Sequence, residues 1–207
     1  MARTKSSSEW LRRHVNDPYV KQAQLDGYRS RSAYKLIELD EKDRLIRPGM
    51  RIMDLGSAPG GWSQVAGKLV GAKGRVLATD ILPMDPIKNV DFIQGDFTDE
   101  AVVARLLEWL AGGRFDLIVS DIAPNITGID SADQASSMYF LELALDTVRK
   151  TLKPGASFVA KMFQGAGSDQ YVKDLRTSFD KVLIRKPAAS RAQSREVYIV
   201  AKVFKRS

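Results

Sequence analysis

Lys161 stands among Phe158, Val159, Ala160, Met162 and Phe163 in the run ASFVAKMF, residues 156–163. A lysine in such apolar company must reach an acid or give up its proton, because an isolated buried ammonium is too costly to keep. An amine that gives up its proton is a base. Three more side chains are candidates to share its site. Asp121 closes the run FDLIVSD and leads into IAPN, Glu196 precedes VYIVAKVF, and Lys35 lies in SRSAYKLIELDEK, residues 30–42. The four are far apart in chain order, so only a fold that gathers strand ends at one edge brings them together.

A second chemical feature is the loop DLGSAPGGWSQ, Asp54 to Gln64. Closely spaced glycines after a strand suit a dinucleotide, a phosphate or a methyl donor. The spacing of Gly56, Gly60 and Gly61 is not the dinucleotide fingerprint G-x-G-x-x-G, and Pro59 lacks the N–H that a tight phosphate turn uses. A P-loop fits worse, since Gly67-Lys68-Leu69 lacks the hydroxyl that would reach magnesium. A methyl donor needs less phosphate chemistry, and glycines let the backbone approach its amino-acid end. Asp80 falls about twenty residues past the glycines, where a ribose-binding carboxylate is expected in open α/β sheets. Asp96, in QGDF, is placed to accept from an adenine amino group, with Phe97 and Ile81 as apolar walls. Each acid alone reads equally as a turn or capping aspartate; three at successive strand ends, with Asp121, point to one crevice.

The elements that position these residues follow from hydrophobic periodicity. Short apolar runs predict strands at Arg51–Leu55, Arg75–Asp80, Asp91–Gln94, Phe115–Asp121, Ser157–Met162, Lys181–Arg185 and Val197–Phe204. Helical stretches alternate with them, which is the pattern of an α/β protein with a mainly parallel sheet. One helix starts at Thr98-Asp99-Glu100, with Val103, Leu106, Leu107 and Leu110 as its apolar stripe. A longer one, Ala135 to Thr151, sets Met138, Leu141, Leu145, Val148 and Leu152 toward the core. LKPG, Leu152 to Gly155, is expected to turn the chain into the next strand. Residues 1–48 are expected to form a basic N-terminal helical extension that carries Lys35, with the main domain over 49–207.

The 207 residues suffice for one sizeable core. The chain has no cysteine and one histidine, His14, which excludes disulfides, thiolate metal sites and cysteine nucleophiles and leaves little for zinc. No uncharged apolar run approaches a membrane span, and the N-terminal stretch lacks a signal-peptide core, so a soluble cytoplasmic protein is expected. Charge is uneven: residues 1–31 carry +4, residues 32–148 carry −7 and residues 149–207 carry +10. An acidic middle with basic ends suggests a small-ligand site flanked by a polyanion surface, the alternative being ordinary solvated lysines.

Taken together, SRSAYKL, DLGSAPGGWSQ, the DI of Asp80-Ile81, GDF, SDIAPN, KMFQG and SRAQSREVY resemble, in order from Ser30 to Tyr198, the FtsJ family of S-adenosylmethionine-dependent ribosomal RNA 2′-O-methyltransferases. The resemblance implies a Rossmann-like class I methyltransferase fold with helices on both faces of a seven-stranded, mainly parallel sheet whose last strand is antiparallel. It implies a catalytic Lys-Asp-Lys-Glu tetrad of Lys35, Asp121, Lys161 and Glu196. Donor contacts carry over to Gly60, Trp62, Asp80, Asp96 and Asp121, within a wider donor site of Asp54, Gly56, Pro59, Gly61, Ile81 and Phe97. The implied cofactor is S-adenosylmethionine with no metal, since a sulfonium is already an activated methyl donor. The implied substrate is a uridine ribose of 23S ribosomal RNA, presented on the large subunit; a monomer is the default expectation, and the sequence offers no membrane attachment.

Desolvation and a neighbouring ammonium both loosen a lysine's proton, so Lys161 reads as the general base for a ribose hydroxyl. Its competing role is to stay charged and only orient that hydroxyl. Arg12, Arg13, Arg29, Arg31, Lys153, Arg185, Lys186, Arg191 and Arg195 are candidates to grip RNA phosphates, and Tyr198 to stack a base. The rival readings are an amino-methyltransferase, disfavoured by Asn125 where a stacking aromatic would stand, another RNA as substrate, a non-catalytic RNA-binding assembly factor, and a nicotinamide-dependent oxidoreductase.

Overall fold

A computed structural model describes residues 17–124 and 127–205. Seven strands form one sheet in the order β3-β2-β1-β4-β5-β7-β6. They are β1 Arg51–Leu55, β2 Arg75–Asp80, β3 Val90–Gln94, β4 Phe115–Ser120, β5 Leu152–Phe163, β6 Phe179–Arg185 and β7 Glu196–Phe204. The neighbouring pairs from β3 to β5 are parallel, while β7 runs antiparallel to both β5 and β6. The order reverses between β1 and β4, and the chain leaves both strands at the same edge, which opens the crevice where such sheets bind ligands.

Strands covered on both faces need apolar side chains throughout, and β1, β4 and β7 are buried along almost their whole length. On one face lie α1 Pro18–Leu25, α2 Ala33–Asp43 and α3 Gly61–Val70, with Leu36, Leu39, Trp62, Val65 and Tyr198 in a shared core. The other face carries α4 Glu100–Leu110, α5 Asp130–Thr151 and α6 Ser168–Ser178 around Leu106, Phe115, Leu145, Phe158 and Tyr171. Leu36 and Leu39 of α2 are wholly buried against the sheet, so the element that carries Lys35 is anchored in a core.

Several expected details differ. The stripe on α4 is Val102, Leu106 and Leu110, four residues apart, while Leu107 is half exposed. Helix α5 begins at Asp130, five residues before the expected Ala135, because Asp133 accepts from the backbone N–H groups of Thr127 and Gly128 and stabilises the entry. LKPG lies inside β5 as an irregularity: Leu152 pairs with Phe115 and Ser157 with Leu117, and Gly155 takes φ +79° between them. Among the described residues no helix is long and apolar enough to cross a membrane.

Candidate active site

The glycine loop joins β1 to α3. Gly56 has φ +69°, and a Cβ there would lie 2.1 Å from Ile122, so only glycine lets this loop close on the segment after β4. Asp54 is buried beneath the loop, where its Oδ2 accepts from Ser63 at 2.6 Å. Burial, partly offset by that bond and reinforced by Asp121 and Asp80, raises its pKa to about 7. Its Oδ1 and the hydroxyl of Ser57 are buried without a hydrogen-bond partner among the described residues.

Residues before α2 brace the loop from outside. Trp62 donates its indole N–H to Ser32 O at 2.8 Å, and the Arg29 N–H donates to Gln64 Oε1 at 2.8 Å. The Arg29 guanidinium donates to Pro59 O, Asp85 O and Pro86 O at 3.2, 2.7 and 2.9 Å. One side chain thus ties the loop to the segment that follows β2.

A cleft of about 410 Å³ opens beside the loop, lined in part by Gly56, Asp80, Ile81, Asp96, Phe97 and Asp121. That volume lies in the usual range for a small-molecule site. Ala58, Leu82, Gly95, Ile122, Ala123, Pro124 and Phe140, which periodicity and motifs leave unmarked, complete its wall. Asp80 accepts from Ala58 N–H and Leu82 N–H, both at 2.9 Å, so its carboxylate is held at the rim. Asp96 accepts from Thr98 N–H and hydroxyl at 2.9 and 2.7 Å through one oxygen, Oδ1. Asp54, Pro59, Gly60, Gly61 and Trp62 are not part of this lining; Gly61 lies against Ser30 and Trp62 against Tyr198.

Lys35, Asp121, Lys161 and Glu196 converge. Lys161 Nζ is 3.1 Å from Asp121 Oδ1 and donates to Asp121 O at 2.6 Å. Lys35 Nζ is 2.7 Å from Glu196 Oε1. Between the two pairs stands Tyr198, whose hydroxyl accepts from Lys35 at 3.0 Å and donates to Asp121 Oδ1 at 2.6 Å. All four charged side chains are at most 16% exposed, and their charges cancel. Burial works to raise the Asp121 pKa, but Lys161, Lys35 and the Tyr198 hydroxyl outweigh it and hold the carboxyl below its ordinary range. Burial, together with Asp121 and Glu196, raises the Tyr198 phenol well above its usual value, so it serves as a donor at any working pH. The expected stacking role for Tyr198 does not hold, because its ring is fully buried beside Trp62 at a centroid distance of 5.6 Å.

The candidate phosphate contacts divide. Arg185 is held by Asp43 through two bonds at 2.8 and 2.9 Å, and Arg31 by Asp17 and Ala189 O. Arg29 is spent on the three carbonyls above. Lys153 pairs with Asp116, Arg191 with Asp17 and Arg195 with Asp130, while Lys186 donates to Ser194 O. Arg12, Arg13, His14 and Asn125 lie outside the described residues. No group of three or more His, Cys, Asp or Glu side chains is gathered for a metal among the described residues.

Comparison with known proteins fits this site. The family described as FtsJ-like methyltransferase matches residues 28–204. The chain belongs to that family. Curated relatives include the Ribosomal RNA large subunit methyltransferase E of Stutzerimonas stutzeri, 69% identical over 99% of this chain and 100% of that protein. The protein of the same name from Marinobacter nauticus is 65% identical, and that from Pseudomonas aeruginosa 56%, each over 99% of both chains. A crystal structure of a ribosomal RNA methyltransferase from Plasmodium falciparum superposes with a TM-score of 0.76 at 33% identity, covering 86% of this chain and 98% of that one. Residues 28–204 take in every motif from Ser30 to Tyr198, so the family's match spans the residues of the cleft and of the Lys35–Asp121–Lys161–Glu196 cluster alike.

Proposed function

We propose that this methyltransferase moves a methyl group from S-adenosylmethionine to the 2′-hydroxyl of a uridine ribose in 23S ribosomal RNA of the large subunit. The observation that carries the reading is that Asp121 belongs to two structures at once. It lines the donor cleft, and it accepts from Lys161 and Tyr198 in the buried charge network. A nucleophile held at Lys161 therefore sits next to whatever occupies the cleft.

The cleft suits the donor on three counts. Its volume fits, the Asp54 Oδ1 and Ser57 hydroxyl that lack partners among the described residues lie in the loop that would meet an amino-acid moiety, and two backbone-held carboxylates on the cleft wall, Asp80 and Asp96, offer acceptors of the kind a ribose and an adenine need. When bound, S-adenosylmethionine supplies an electrophilic methyl on a positively charged sulfur. Asp80 binds the ribose hydroxyls, Asp96 the adenine amino group, and Ile81 and Phe97 wall the ring. Gly56, Pro59, Gly60, Gly61 and Trp62 shape the loop backbone that receives the rest, above Asp54.

In the competent state Lys161 is the neutral amine, its ammonium proton having passed to solvent, and it takes the proton of the target 2′-hydroxyl as that oxygen attacks the methyl in line and the methyl–sulfur bond breaks, a role worth about 10²–10⁴-fold in rate. Asp121 fixes the amine through two contacts, one of them to its backbone carbonyl. Lys35, held by Glu196, adds positive charge beside Asp121 and closes the crevice. The names of the curated relatives support the large ribosomal subunit as the substrate. The experiment is to incubate the protein with labelled donor and large subunits from cells lacking it, then map ribose methyls on 23S RNA. A methyl on a uridine 2′-oxygen, absent with Lys161→Ala, is the expected result; a methyl on a base nitrogen or carbon overturns the reading, and no transfer with donor still bound favours an assembly factor.

A further inference from the structure

A smaller pocket of about 170 Å³ lies on the other side of Pro124 from the donor cleft, lined by Asp130, Gln134, Phe163, Gln193 and Arg195. Pro124 is common to both. In the β5–β7 pairing, Phe163 stands opposite Glu196, and Lys161 opposite Tyr198, two residues back. The pocket therefore begins about 7 Å along the strands from the proposed base. That is about the distance from a ribose 2′-oxygen to the far, Watson–Crick edge of its own pyrimidine. The volume falls below the roughly 300 Å³ at which whole-ligand pockets begin, so it suits a single ring.

The polar chemistry of this pocket is fixed by one side chain. Gln134 is only 8% exposed, and its amide NH₂ donates to Phe163 O at 3.2 Å and Ala166 O at 3.0 Å. Two carbonyls can be met only by the nitrogen, so the amide cannot flip and its Oε1 is committed as an acceptor. No hydrogen bond reaches that Oε1 among the described residues. A Cβ at Gly165 would come within 2.9 Å of the same amide, so the glycine of KMFQG makes the room it occupies. Arg195, whose Nη2 meets Asp130 at 3.3 Å while its other N–H groups have no partner among the described residues, and Gln193 supply donors from a segment tied down where Glu38 accepts from Ala188 and Ala189 N–H and Lys186 donates to Ser194 O. Asp130 and Asp133 at the mouth disfavour a phosphate.

We propose that this pocket receives the base of the target nucleotide and that Gln134 Oε1 selects uracil by accepting its N3–H, with Arg195 and Gln193 on the ring carbonyl oxygens. Neutral cytosine offers a lone pair at N3, which would face the lone pairs of Oε1. A site built around one hydrogen bond rejects an analogue that leaves its buried group unpaired. The inference rests on ribose methylation as proposed above and adds how the base is chosen.

The test uses large-subunit RNA carrying uridine, cytidine or 3-methyluridine at the position mapped as methylated. The wild-type protein is expected to methylate uridine at least about tenfold faster, as kcat/KM, than either analogue. Gln134→Met is expected to shrink the uridine-to-cytidine ratio by about tenfold while donor affinity stays within a factor of about two, and Arg195→Ala to raise KM for RNA with kcat little changed. Equal transfer to uridine and 3-methyluridine by the wild-type protein overturns the base pocket while leaving the reaction intact, and needs no variant to fold. An unchanged ratio in a folded Gln134→Met protein overturns the role of Gln134. A wild-type protein that leaves no ribose methyl on the uridine RNA refutes the reaction itself, and this inference with it.

Discussion

Tyr198 joins the two ion pairs of the site: its hydroxyl accepts from Lys35 and donates to the Asp121 oxygen that also faces Lys161. The four charges are thus one connected unit, and disturbing the phenol reaches both lysines. Tyr198→Phe keeps the ring on Trp62 but leaves a buried donor and a buried acceptor short of one partner. Loss of about 1–3 kcal/mol in denaturant unfolding is expected. Methyl transfer should fall by less than about tenfold, since Lys161 keeps both contacts to Asp121.

Arg29 holds Pro59 O together with the carbonyls of Asp85 and Pro86 and, among the described residues, hydrogen-bonds to none that line the cleft. Arg29→Ala frees the glycine loop from the segment after β2. Donor affinity, read by calorimetric titration of S-adenosylmethionine, is expected to weaken by about tenfold, roughly 1.4 kcal/mol.

Asp54 gives a pH signature. Its pKa rises from an ordinary 3.8 to about 7 on folding, so the folded protein holds this proton more tightly than the unfolded chain. The resulting stabilisation is complete below the ordinary value and is lost as pH rises through about 7. The melting temperature relative to Asp54→Asn should therefore decline between pH 5 and 8. Asp121 has the opposite sign: its pKa is lowered, so its contribution is present above 3.8 and lost as pH falls through the folded value.

Arg185 separates structural from RNA-binding cations. Its two bonds to the buried Asp43 make it a structural residue. Arg185→Ala is expected to cost about 3 kcal/mol, discounted toward 1–2 because the guanidinium is partly exposed. The slope of RNA affinity against salt should stay unchanged.

Much of the fold was legible because parallel strands buried on both faces show as unbroken apolar runs. Strands β1 and β2 fall on the expected residues, and Asp121 stands one residue past β4 as a strand-end acid should. What escaped depended on contacts between distant segments. Asp133 organises the start of α5 through Thr127 and Gly128, and no periodicity announces that. Tyr198 carried a usable signal: in a strand, residues two apart share a face, so Glu196 and Tyr198 point the same way, toward Lys35. The placement of Gln134 beside Phe163 needs the packing of α5 on β5, which its own helix cannot reveal. The clustering of Lys35 with the rest was carried by motif order, and its reason is the burial of Leu36 and Leu39 in the sheet core.

In the reaction proposed above, Lys161 handles the proton of the attacking hydroxyl without holding the donor. Single-turnover methyl transfer by Lys161→Met, measured beside donor binding by the same protein, tests it most directly. A rate at least about 10²-fold lower is expected, with the donor dissociation constant within a factor of about two. A folded Lys161→Met protein that transfers within about threefold of the wild-type rate contradicts it.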